Sequence, residues 1–170
     1  MAAPLVVEDG TGVANANSYA SVADADAYFD TTFWADEWGK VEAPTKAVRL
    51  IDATRMLDTR ISWYSIPLTR NQGLQFPRAY LYSPDGVLIQ GIPPWLKWAT
   101  AEWARLVQAK DRSITNEREP IAKSISSQGS SSSVTYVTRG RASDAGAWVP
   151  DQIWKLVPRY ALAPMRALRA

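Results

Sequence analysis

The chain has 170 residues, 46% of them hydrophobic, which suffices for the core of one domain. It contains no cysteine and no histidine, which removes disulfides, thiolate nucleophiles, Cys or His metal sites and imidazole acid–base chemistry together. The net charge of +2 hides a partition: residues 1–120 hold 12 Lys or Arg against 15 Asp or Glu, whereas residues 121–170 hold 7 against 2.

No window approaches the roughly 18 consecutive apolar residues of a membrane span. The start of the chain lacks a basic region ahead of a long apolar run, so no signal peptide is expected. After a short extended entry, Ser21 precedes Val22, Ala25, Phe29 and Phe33 at helical spacing, with Asp24 placed as a capping-box acid; a helix over 22–33 is predicted. Asp24, Asp26 and Asp30 read as a solvated, dipole-stabilising set, because the glycine and closing glutamate of a calcium loop are missing. Pro44 opens a second amphipathic helix over 44–59, with Ala47, Val48, Ile51, Thr54 and Leu57 as its apolar stripe and Asp52–Arg55 as an i,i+3 pair.

Over 61–92 the period is lost and turn residues cluster. Ser83-Pro84-Asp85-Gly86 is a turn in which Pro presets one dihedral and Gly accepts a positive one. A segment this long either folds onto the core or carries contacts, and Trp63, Tyr64, Phe76, Tyr80 and Tyr82 make it cohesive. A third helix is predicted over 93–111, where Trp95, Leu96, Ala99, Trp103, Leu106 and Val107 form one stripe behind Pro93 and Pro94. Trp98 lies off that stripe, as a second packing face or a subunit contact. The stretch 121–127 and the β-type run from Val134 to Thr138 flank a Gly/Ser tip and predict a hairpin arm, marginal in water unless it pairs with a neighbour. Beyond it, Trp154, Leu156, Val157 and Tyr160 sit among Pro158 and Pro164, which predicts short helical pieces. Lys155, Arg159, Arg166 and Arg169 follow Asp151 with no further acid, giving a solvated basic end or a contact for phosphate or an acidic protein.

Catalytic signatures are missing: there is no phosphate-binding loop, Rossmann glycine fingerprint, HExxH or GxSxG, and the serine tract 130–133 has no histidine base. The reading is therefore of a non-enzyme without metal or cofactor. The fold class is mainly α: a small helical bundle (1–113, including the aromatic loop), an extended β-hairpin arm (114–140) and a C-terminal short-helical docking segment (141–170).

The order of short motifs adds a resemblance. Asn17-Ser18-Tyr19-Ala20-Ser21 leading into Ala25-Asp26-Ala27-Tyr28-Phe29, then Ala53-Thr54, Leu57-Asp58, Gln72-Gly73-Leu74-Gln75-Phe76-Pro77-Arg78, Asp85-Gly86, Ile92-Pro93 and Ala99-Thr100-Ala101-Glu102-Trp103-Ala104 resemble the head–tail connector (adaptor, or head-completion) proteins of tailed bacteriophages. Some of those relatives are labelled DnaT-like single-stranded DNA-binding proteins. The resemblance covers about 17–110 and is looser beyond. It implies a virion neck component assembled in the host cytoplasm: a ring, commonly of twelve copies, between the portal and a downstream neck or tail-completion protein, with duplex DNA passing through without sequence specificity and no membrane. Carried over by position, Gln72, Phe76, Arg78, Trp98, Ile121, Ile125, Val134 and Tyr136 would meet a subunit or neighbour, and Lys155, Arg159, Arg166 and Arg169 the portal or another acidic partner. The alternative is a module for single-stranded DNA, using Arg139, Lys155 and Arg159 beside Tyr136, Trp154 and Tyr160.

Overall fold

Helix α1 (Val22–Phe29) starts at the predicted capping box: Asp24 N–H donates to Ser21 Oγ at 3.0 Å and Ser21 N–H donates to the Asp24 carboxylate at 3.0 Å. The computed structural model describes residues 4–109, 120–124, 133–136 and 149–162. Contrary to the 22–33 prediction, α1 stops at Phe29. The hydroxyls of Thr31 and Thr32 donate to the carbonyls of Tyr28 and Phe29 at 2.8 and 2.9 Å, competing with helix continuation. Phe33 is thereby released from the apolar stripe and is 96% exposed. A short helix not anticipated from the sequence, α2 (Ala35–Gly39), follows and buries Trp38.

Helix α3 (Ala43–Arg60) and helix α4 (Pro94–Ala109) supply most of the core. In α3 the buried stripe is Lys46, Leu50, Ala53, Thr54 and Leu57, rotated from the predicted one, and Val48 is exposed. Lys46 can be buried because its ammonium meets Asp26 at 2.8 Å, and the same carboxylate oxygen accepts from the Trp38 indole at 2.7 Å. The stripe of α4 is as predicted: Leu96, Ala99, Trp103 and Leu106 are buried, with Trp95 and Val107 packed partly against the core. Fully burying a side chain such as Leu50, Leu57 or Leu96 is worth about 1.5–3 kcal/mol before entropy.

The segment 61–92 folds onto the core. Trp63 and Phe76 insert between α3 and α4 residues, Phe76 meeting Trp63 and Trp95 edge-on at 5.0 and 5.7 Å. Strands β1 (Ile66–Pro67) and β2 (Arg78–Ala79) pair antiparallel, Ile66 opposite Ala79 and Pro67 opposite Arg78. The turn at 83–86 closes as predicted, Gly86 N–H donating to Ser83 O at 3.0 Å with a Gly86 φ of 77°.

The predicted arm is an antiparallel pair, β3 (Pro120–Ser124) and β4 (Ser133–Tyr136), with Lys123 opposite Val134 and a register irregularity between Pro120 and Ala122. Near the C-terminus, α5 (Asp151–Leu156) and a 3-10 turn (Arg159–Ala161) are the expected short helical pieces. Val149, Ile153, Val157 and Ala161 belong to the same core as α3 and α4, and Tyr64 N–H donates to Ala161 O at 2.7 Å. The architecture is mainly α, and among the described residues no helix is long and apolar enough to cross a membrane.

Candidate interaction surfaces

The predicted contact residues of 72–78 turn inward. Arg78 is 8% exposed, and its guanidinium donates to the carbonyls of Ser65 (2.8 Å), Trp63 (3.0 Å), Tyr64 (3.0 Å) and Gln75 (3.1 Å). Gln72 accepts from Thr69 N–H at 2.9 Å and donates to the carbonyls of Leu74 and Pro77 at 2.7 and 3.1 Å. Phe76 is 1% exposed, and its N–H donates at 3.1 Å to the Tyr19 hydroxyl, which in turn donates to Asp58 at 2.5 Å. Burial pushes the Asp58 carboxyl up, against the hydrogen bonds from Tyr19 and Gln75 that favour its ionised form. In this packing Phe76 and Arg78 support the protomer from within and leave little side-chain surface exposed.

What 72–78 holds up is a surface. Tyr64, Ile66, Leu68, Tyr80, Tyr82, Val87 and Leu88 are 39–71% exposed, and an open groove of about 720 Å³ runs beside β1, lined by Ile66, Leu68, Arg70 and Leu74 among others. Exposed charge over 61–92 is sparse, consisting of Arg70 and Asp85. An apolar, weakly charged surface of this kind is chemistry for a protein partner.

A second surface spans α4 and the turn after α1. Trp98 is 44% exposed and stacks on Tyr28 with ring centroids 6.2 Å apart; Tyr28 donates to Glu102 at 3.1 Å. Glu102 also accepts from Arg105 at 3.1 Å, and the Arg105 guanidinium lies 4.1 Å from the Trp34 ring centre, with Phe33 edge-on to Trp34 at 6.1 Å. Trp98, Glu102 and Arg105 share one helix face by their spacing, while Phe33 and Trp34 reach it because α1 ends early. Trp98 therefore stands where the sequence left it open to stand, off the core stripe; Phe33 and Trp34 were missed as surface residues, and Thr31-Thr32 was the available signal. Desolvation, then the Glu102 charge, pushes the Tyr28 hydroxyl up to about 12, which keeps it a donor. The cations here are engaged: Arg105 with Glu102, Lys97 with Asp24 at 3.0 Å and Lys46 with Asp26. Burial opposes ionisation of Asp24, but the Ser21 hydrogen bonds and Lys97 outweigh it and hold its carboxyl low.

The third surface is C-terminal. Trp154 is 42% exposed, and Lys155 and Arg159 are exposed without an ion pair among the described residues. An exposed ring and two uncompensated cations within one short segment have the chemistry to take a base and its phosphates, or an acidic protein surface. Of the arm residues, Ile121, Val134 and Tyr136 lie in the paired strands, Tyr136 opposite Pro120. Ile125, Arg139, Arg166 and Arg169 lie outside the described residues.

Among the described residues no three carboxylates gather as a metal site. Comparison with known proteins gives one family match, and no curated protein and no solved structure matches the chain. The matching model is described as "Putative DnaT-like ssDNA binding protein" and covers residues 3–167, so it takes in all three surfaces. The chain belongs to this DnaT-like ssDNA-binding protein family.

Proposed function

We propose that the protein is a non-enzymatic nucleic-acid-binding module that engages single-stranded DNA through its C-terminal section. The observation that carries this reading is the exposure of Trp154 beside Lys155 and Arg159, whose charges are not spent on acids among the described residues, in contrast to Lys46, Lys97 and Arg105. The family match supports the same ligand class. Stacking supplies affinity without sequence preference, and the two cations supply phosphate contacts. The test is a fluorescence titration of a labelled deoxythymidine oligomer against a duplex of equal length over a range of salt. Replacing Trp154 by Ala removes about 1–3 kcal/mol of stacking, a loss of roughly 5- to 150-fold in affinity. Replacing Lys155 and Arg159 by Gln flattens the salt slope by about 1.4. Equal binding of both variants and wild type, or a preference for duplex, overturns it.

A second reading is favoured by a different observation: seven large apolar side chains exposed over 64–88 with little charge among them. They suit a virion neck protein that forms a ring by protein contact, joins portal to tail and lets duplex DNA pass. Electron microscopy of the protein mixed with its portal tests this. Rings on the portal that are lost with Tyr82→Ser and Val87→Ser support it; a protein that ignores the portal while binding single strands excludes it.

A further inference from the structure

Tyr64 counts with the apolar surface by its exposure, 49%, yet its backbone is joined to the C-terminal section. Its N–H donates to Ala161 O at 2.7 Å, and Trp63 bridges Leu162 in the antiparallel sense, so 63–64 and 161–162 lie side by side as neighbouring strands do. Ala161 closes the same 3-10 turn that begins at Arg159. From Trp154 to Ala161 the chain covers at most about 25 Å even if fully extended, and less here because 151–156 and 159–161 are helical. Along that path the order is ring, two cations, ring: Trp154, Lys155, Arg159 and then Tyr64 across the bridge.

The backbone under Tyr64 is held on both sides. Arg78 donates to the carbonyls of Trp63, Tyr64 and Ser65 at 3.0, 3.0 and 2.8 Å, which spans the whole tripeptide. Ser65 has a φ of 69°, a left-handed conformation that a residue other than glycine adopts at a cost, and its hydroxyl donates to Ala79 O. Trp63 is buried in the core, while Tyr64 beside it is turned out. A strained and fixed backbone thus presents this ring to something outside the protomer.

We propose that Tyr64 is a second base-stacking residue of the single-strand site: one strand lays bases on Trp154 and Tyr64, and its phosphates on Lys155 and Arg159 between them. This rests on the reading of the C-terminal section as a single-strand site and adds to it a residue from far along the chain. Every base offers a π-face, so a second ring adds affinity without sequence preference. The fixed backbone lowers the ordering cost of binding. An uncharged ring leaves the salt dependence to the two cations.

The test is a fluorescence titration of a labelled deoxythymidine oligomer of about 12 nucleotides, which at roughly 3.4 Å per nucleotide is long enough to reach both rings. Tyr64→Leu keeps an apolar side chain but removes the π-face; it should weaken binding about 5- to 150-fold and leave the salt slope unchanged. Tyr64→Phe keeps the face and should bind like wild type. Urea midpoints equal to that of wild type verify the fold of both variants. Photocrosslinking with iododeoxyuridine in the oligomer should mark Tyr64 as well as Trp154 in the wild-type complex. Tyr64→Leu binding like wild type, while Trp154→Ala loses affinity, overturns the second ring and leaves the strand site standing. Tyr64→Phe as weak as Tyr64→Leu, or a salt slope flattened by Tyr64→Leu, also overturns it, because the residue would then act through the shape of the site. A wild type that binds no single strand overturns both readings.

Discussion

Arg78 offers the sharpest test of how this fold presents its surfaces. Four backbone carbonyls, from Trp63, Tyr64, Ser65 and Gln75, converge on one guanidinium that is 8% exposed. No other side chain carries donors in a fixed fork of this kind. Arg78→Met keeps most of the apolar stem and leaves those carbonyls without their donor. Loss of charged hydrogen bonds, together with carbonyls that water reaches only in part, sets the cost at about 3–5 kcal/mol. That is a large share of the roughly 5–15 kcal/mol by which a domain is held folded. Arg78→Lys restores charge but reaches fewer acceptors, so it should recover part of the loss. Urea denaturation read by tryptophan fluorescence gives the difference, provided the slope against denaturant is unchanged. A loss below about 1 kcal/mol for Arg78→Met would refute the reasoning, and would mean that 63–65 is held by its aromatic packing and by the Tyr64–Ala161 bond instead.

Leu50→Ala should cost about 2–5 kcal/mol, whereas Val48→Ala should stay within about 1 kcal/mol, and the same denaturation series separates them. Glu8 is 2% exposed, and its carboxylate accepts from Gly10, Gly12 and Val13 N–H at 3.0, 2.8 and 2.8 Å, so Glu8→Gln should cost about 1–3 kcal/mol and speed hydrogen exchange at those three amides. The lowered Asp24 carboxyl contributes stability that is present above the unfolded value of 3.8 and is lost as pH falls through its folded value; the raised Asp58 carboxyl does the reverse, costing stability as pH rises from 3.8 through its folded value. Unfolding followed from about pH 3 to pH 7 should therefore show Asp24→Asn losing most at neutral pH and little in acid, and Asp58→Asn changing the slope in the opposite sense.

What could be read in the sequence was local. Leu96, Ala99, Trp103 and Leu106 announce their helix and its buried face because one period covers sixteen residues, and Ser21 with Asp24 announces a start because both groups of the capping box lie within one turn. The mainly α architecture and the paired arm strands followed from the same kind of signal. Misreadings arose where a side chain's surroundings come from far along the chain. Lys46 looks like a solvent residue until Asp26 and Trp38 are folded beside it, and the first half of the α3 stripe runs through Lys46, Leu50 and Ala53, with Thr54 and Leu57 as expected. The burial of Arg78 could not be read locally, because the carbonyls that surround its guanidinium belong to 63–65, more than ten positions away. Phe33 fell on the wrong side because two threonine hydroxyls close the helix one turn early.

The partition of charge in the sequence acquires a different meaning once the side chains are placed. Many acids of the first section are used inside their own protomer: Glu8 organises a loop, Asp24 and Asp26 bind Lys97 and Lys46, Glu102 joins Tyr28 to Arg105, and Asp58 ties Tyr19 to the backbone of Gln75. They restrain α1, α3 and α4 relative to one another, and in doing so they neutralise the cations nearest the exposed rings. Lys155 and Arg159 have no such partner among the described residues, so their field reaches solvent. A small net charge thus coexists with one surface where aromatic rings sit among paired charges and another where an exposed ring and unpaired cations share one short segment. The aromatic face of α1 and α4 and the C-terminal helix therefore differ in their charge surroundings within one small core, and substitutions in one leave the other unchanged because the two faces share no residue.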